Sequence, residues 1–156
     1  MEDDKSKSIF APLSKYKETG SFLFKPNDQF IKACNVPKRD VSGIYIIEAI
    51  KNDQSEIVYI GISGRKDKNG NIIHRKGGIR DRICNGYHPG TRIKRHSWFP
   101  LKIKEDKVDA IKISWWITYN ELVSDYPWVI ENNLLVKYKE TFGLGRKPRW
   151  HSNKNQ

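Results

Sequence analysis

Two phenols, a guanidinium and a carboxylate are the side chains of this 156-residue chain whose types and spacing could act on a phosphate ester. Gly43-Ile44-Tyr45 and Tyr59-Ile60-Gly61 stand on two β-branched, aromatic runs separated by the polar stretch 51–56. That pattern predicts an antiparallel hairpin. Strand side chains alternate with a period of two. Any register whose paired residue numbers sum to an even value therefore sets Tyr45 and Tyr59 on one face, with Gly43 and Gly61 beside them. A sum of 104, which is that of Tyr45 and Tyr59 themselves, would make them direct cross-strand partners. The missing glycine side chains would leave backbone open to close approach by a ligand. Taken alone, the two rings are better explained as a cross-strand aromatic pair that stabilises a sheet.

Phosphodiester hydrolysis requires an activated water, charge stabilisation at phosphorus and help for the departing oxygen. Arg82, in a predicted helix over 79–87, can fork two hydrogen bonds onto phosphate oxygens, a match lysine does not offer. Arg75 and Arg80 compete for that role, and a helical arginine in a basic segment is also an ordinary surface residue. Glu131 falls near the start of a second predicted helix, 129–142. One carboxylate, a phosphate and several waters suit Mg²⁺, with Mn²⁺ as a substitute, and no His/Cys spacing for zinc is present. The economical expectation is one ion per site. The same glutamate would also favour a helix N-terminus through the macrodipole.

Charge names the partner these groups would meet. Lys plus Arg number 29 against 18 Asp plus Glu, a net charge of +11. Residues 64–104 hold most of the excess, and aromatic and imidazole side chains (Tyr87, His88, His96, Trp98) are interleaved there. Such a surface attracts a polyanion, and interleaved rings can stack on bases. Arg65, Lys66, Arg75, Lys76, Arg80, Arg92, Lys94 and Arg95 are the candidate nucleic-acid contacts. DNA is the expected partner; RNA stays open, because phosphate chemistry makes no demand on the sugar. A lysine-rich face kept for solubility is the plainer alternative.

The elements that must position these groups are legible from residue 43 onward. Residues 109–118 alternate as a third strand, Pro127 suits a first helical turn, and Ile130, Leu134, Leu135 and Tyr138 share one side of the last helix. The expectation is an α+β domain over 42–156, with a central antiparallel three-stranded sheet flanked by helices in the order β-β-α-β-α. Residues 1–41 read as an N-terminal extension with short helical turns near 15–18 and 28–34. The stretch 63–76 reads as a long basic loop. Cys34 and Cys84, far apart, predict no disulfide framework and a reducing, cytoplasmic setting. No run is long and apolar enough to span a bilayer, and the start is acidic rather than signal-like.

Both tripeptides are unchanged from those of the GIY-YIG endonuclease family, which the chain resembles over roughly 42–153. The order continues with Arg82 followed by Ile83, with Glu131, and with Asn153 after Pro148. The resemblance implies a divalent-metal-dependent endonuclease in which Tyr45 is the general base and Tyr59 orients substrate. Arg82 would clamp the phosphate, Glu131 hold the metal beside the departing oxygen, and Asn153 close the site. A free phenol titrates near 10, so Tyr45 needs a neighbouring cation to act near neutral pH. Some restriction-type relatives carry a His or Lys for this, and Lys76 and His88 are the candidates. Those relatives' His follows the arginine by one turn, where this chain has Gly86. A small restriction-like, phage-type or degradative enzyme is implied, as monomer or homodimer and with no nucleotide cofactor. A non-catalytic nucleic-acid-binding module of the same fold and a structure-selective nuclease for branched DNA remain the alternatives.

Overall fold

The computed structural model describes residues 2–143 and 145–151. Its elements run α1 (Glu2–Phe10), a 3-10 turn (Ala11–Leu13), β1 (Thr19–Phe24), α2 (Phe30–Ala33), β2 (Ser42–Lys51) and β3 (Gln54–Ser63). They continue through β4 (Arg65–Lys66), β5 (Ile72–Ile73), α3 (Gly78–Cys84), α4 (Arg95–Asp106), β6 (Ala110–Tyr119) and α5 (Pro127–Phe142). The class is α+β. The main sheet has four antiparallel strands in the order β1-β6-β2-β3, not three. The added strand comes from the N-terminal segment. Phe22 and Phe24 alternate with exposed residues on β1 and are both buried, and each such ring contributes roughly 1.5–3 kcal/mol when removed from water. An apolar pair so short carries too little pattern to read as a strand.

Helices cover both faces of the sheet. Ile79 and Ile83 of α3 and Trp98, Phe99 and Ile103 of α4 pack with Tyr45, Ile47 and Tyr59 on one side. Ile9 of α1 and Leu134 and Tyr138 of α5 pack with Ile44, Ile46 and Ile60 on the other. That double cover explains why β2 is buried along nearly its whole length.

The hairpin register carries the main structural consequence. Asn52 and Asp53, with φ of 52° and 63°, form the tight two-residue turn between Lys51 and Gln54. From such a turn the pairing runs at an odd sum, which would send Tyr45 and Tyr59 to opposite faces. The ladder shifts between Ile47 and Glu48: Glu48 pairs Ile57, Ile47 pairs Tyr59, and Val58 is the extra residue. This bulge restores even parity, and Tyr45 lies opposite Gly61. The tyrosines are thus one pair apart on the same face, not directly opposite as a sum of 104 requires.

Three further expectations are corrected. Residues 65–73 are not a plain loop, since β4 and β5 pair as a small ribbon. Helix α4 was not foreseen: Pro100 interrupts its pattern, and a fully buried arginine occupies the first position of its inward face at 95, 98, 99 and 103. Cys34 and Cys84 meet as a disulfide because the ends of α2 and α3 lie together, where Arg80 Nη1 also donates to the Cys34 and Val36 carbonyls at 2.7 and 2.8 Å. Among the described residues no helix is long and apolar enough to cross a membrane.

Candidate active site

The centre of the site is a stack. The rings of Tyr45 and Tyr59 are 5.9 Å apart at 23°, above Gly61. A Cβ at Gly61 would collide with the Tyr45 ring and hydroxyl and approach Tyr59 Cε1 to 2.7 Å. Gly61 therefore admits the two rings rather than leaving a floor open to ligand. At Gly43 a Cβ would collide with the Trp116 carbonyl of the neighbouring strand. Both glycines are used inside the protein.

Arg95 underlies the stack. Its guanidinium carbon is 5.3 Å from the Tyr45 ring centre, 5.0 Å from Tyr59 and 5.6 Å from Phe99. Nη1 donates to the Tyr45 hydroxyl at 2.7 Å. The side chain is fully buried, and Nε and Nη2 have no hydrogen-bond partner among the described residues. Arg95 was expected on a nucleic-acid-facing surface. It is instead an internal cation held against the phenol expected to act as base. The sequence signal was present, since position 95 begins the apolar spacing of α4, but a charge there reads as surface.

The outer phenol is Tyr59, which burial pushes above its ordinary pKa. Tyr45 adds to that rise, Arg95 and Arg82 oppose it, and Glu131 adds a smaller rise. The shift keeps Tyr59 protonated, a hydrogen-bond donor rather than a base. It also shows that Arg82 and Glu131 both lie within electrostatic reach of this hydroxyl. Tyr45 itself is fully covered, so solvent reaches it only when a covering side chain moves.

The C-terminal segment closes over Tyr59. The Trp150 N–H donates to the Val58 carbonyl at 2.9 Å, so the bulge offers an acceptor to this segment. The His151 ring stacks on Tyr59 at 4.4 Å and 17°, and its Nε2 accepts the Ile60 N–H at 3.1 Å. Strand β3 is a sheet edge, which is why its N–H groups can be reached. His151 is a site residue that sequence reasoning missed. Asn153, expected to close the site, lies outside the described residues.

The auxiliary-base candidates separate. His88 is buried, stacked on Trp98 at 3.7 Å and 7° and 5.6 Å from the Tyr59 ring. Burial, then Arg95 and Arg82, push its pKa down to about 3, so it is neutral near pH 7 and only a weak proton acceptor. His151 is pushed down to about 4, first by burial and then by Lys147 and Arg95. Lys76 is exposed, just before the glycine pair that opens α3.

Arg82 is half-buried on α3, and Nη1 donates to the Tyr87 carbonyl at 3.2 Å. A Cβ at Gly86 would come within 3.1 Å of Arg82 Nη1 and 3.2 Å of Arg75 Nη2, so a histidine there would crowd both. Arg82 also lines a cleft of about 320 Å³ with Ser63, Gly64, Arg65, His74 and Arg75. Arg75 is tied to Asp81 as an ion pair. Arg80 is engaged by the backbone carbonyls named above, not by the cleft. Arg65, Lys66, Arg92 and Lys94 are exposed.

Glu131 is the outlying member. It stands on α5, whose buried side packs the opposite face of the sheet, and its link to the phenols is its electrostatic effect on Tyr59. Burial alone pushes its carboxyl up to about 7. It makes no hydrogen bond or ion pair with any described residue. A half-buried carboxylate with no cation of its own fits a divalent ion that brings charge, while waters and phosphate complete the shell. Among the described residues no group of three His, Cys, Asp or Glu could hold a metal, so such an ion would rely on Glu131. No family model, curated protein or solved structure matches the chain.

Proposed function

We propose that the chain is a Mg²⁺-dependent endonuclease of GIY-YIG type that hydrolyses DNA phosphodiester bonds. The observation that carries this reading is the hydrogen bond from Arg95 to the Tyr45 hydroxyl within the tyrosine stack. That bond fixes the orientation of the phenol oxygen and sets a cation against it, the arrangement in which a tyrosine could receive a proton. In this reading Tyr45 takes the proton of the attacking water and Tyr59 donates a hydrogen bond to the substrate. Arg82 neutralises the phosphate from the mouth of the cationic cleft. Glu131 would hold the ion, which when bound would stabilise charge on the departing oxygen. Arg65, Lys66, Arg92 and Lys94 supply the salt-sensitive attraction for the backbone.

The full burial of Tyr45 favours a second reading, a nucleic-acid-binding module that keeps the fold without cutting. Incubating pure protein with supercoiled and linear DNA, in Mg²⁺ or in EDTA, separates the two. Cutting in Mg²⁺ and none in EDTA supports the nuclease. Retarded but intact DNA in both supports the module.

A further inference from the structure

Three aromatic rings at one end of the sheet have no part in the site described above. Tyr119 ends β6, and its ring stacks on Tyr126 at 5.6 Å and 22°. Tyr126 in turn stacks on Trp128 at 4.7 Å and 15°. All three are half-buried, unlike the fully covered core rings. Among the described residues neither Tyr119 nor Tyr126 uses its hydroxyl in a hydrogen bond, and no further ring lies on Trp128.

The ladder joins the cationic cleft at one end and the carboxylate at the other. The His74 ring is 5.6 Å from Tyr119 and lines the 320 Å³ cleft that Arg65, Arg75 and Arg82 share. Ser63, whose buried Oγ has no partner among the described residues, lines the same cleft. At the other end Trp128 and Glu131 are three apart on α5, neighbours on the helix surface. The stack ends on Trp128, a half-buried indole with one ring face that no other described ring covers. An aromatic face at the end of a stack that leads from a guanidinium cleft is the combination that holds unpaired nucleotides, because every base stacks and every phosphate is attracted. Paired bases in a duplex cannot offer a free face to such a ladder.

We propose that Trp128, backed by Tyr126 and Tyr119, is a stacking platform for an unpaired base beside the phosphate to be cut. The substrate class is then DNA with a single-stranded segment at the cleavage point. This rests on the nuclease reading for its position relative to the cut, but binding tests it separately.

The test is fluorescence anisotropy of the full chain in EDTA with a labelled oligo-dT and a duplex of equal length. Single strand binds more tightly, and Trp128→Ala weakens that binding roughly tenfold or more while duplex binding stays within about twofold. Equal loss for both DNAs, or no loss, overturns the platform. If Trp128→Ala fails to fold, Trp128→Phe keeps the ring packing and removes the indole. Quenching of tryptophan fluorescence by oligo-dT then shrinks in that variant, and undiminished quenching overturns the proposal. A Trp128-dependent preference for single strands in a chain that never cuts DNA refutes the nuclease reading alone. Cutting of paired duplex with no dependence on Trp128 refutes the platform alone.

Discussion

Arg95 and Tyr45, fifty residues apart, meet in the core through a 2.7 Å hydrogen bond from the guanidinium Nη1 to the phenol oxygen. A charge buried this deeply with Nε and Nη2 unpaired is costly to the fold. On the proposed reading its use is to hold and orient the Tyr45 hydroxyl.

Arg95→Met, of similar length and without charge, tests that bond directly. Thermal unfolding is expected at the wild-type temperature or above it, because an incompletely paired buried charge is replaced by an apolar side chain. DNA cleavage should fall about 10²-fold or more, with little change in DNA binding. A variant that unfolds several degrees earlier and cuts normally would make Arg95 purely structural.

Gly61→Ala is expected to destabilise by about 1–3 kcal/mol, as overpacked cores do, since the new methyl collides with both tyrosine rings. Chemical denaturation measures the loss. The same substitution at Gly70, where a Cβ meets nothing within 4 Å, keeps the core intact and gives the comparison, although its positive φ of 85° adds a backbone cost of its own. Equal losses at the two positions would contradict the close packing at Gly61.

His88 sets an acid limit on stability. Its folded pKa of about 3 lies below the usual imidazole value near 6.5, so the unfolded chain binds the proton first. The stabilisation is complete above about pH 6.5 and declines as pH falls toward 3. It amounts to a loss on the order of 3 kcal/mol by pH 4. His151, at about 4, acts in the same direction. Thermal unfolding between pH 7 and 4 should show the decline, and His88→Phe should flatten it; an unchanged slope would contradict the assignment.

Glu131 acts in the opposite direction. Its folded pKa of about 7 exceeds the ordinary carboxylate value, so its contribution is fully present below about pH 4.5 and is lost as pH rises through 7. In EDTA, Glu131→Gln should therefore gain on wild type at pH 8 and not at pH 4, by on the order of 1–3 kcal/mol. Mg²⁺ should raise the melting temperature of the wild type and not of the variant.

Much of the fold is legible in the sequence, and the parts that are not have physical reasons. The hairpin, β6 and α5 were readable because β-branched alternation and a 3.6-residue apolar period run uninterrupted there. The shared face of Tyr45 and Tyr59 was anticipated through an even register, but the bulge at Val58 that produces it leaves no mark in composition. Strand β1 was missed because two phenylalanines are too few to show a period. Arg95 was read as surface because only tertiary burial distinguishes it from Arg92 and Lys94 three residues and one residue earlier. His151 was missed because stacking on Tyr59 joins residues ninety-two positions apart. The roles given to Tyr45, Arg82 and Glu131 came from resemblance.

The most direct test is single-turnover cleavage of DNA by wild type and Glu131→Gln in saturating Mg²⁺, with DNA binding measured in parallel. Cleavage should fall at least 10²-fold with binding retained or tightened, since the cationic surface is untouched. Mg²⁺-dependent cutting by the variant at the wild-type rate would contradict the role given to Glu131.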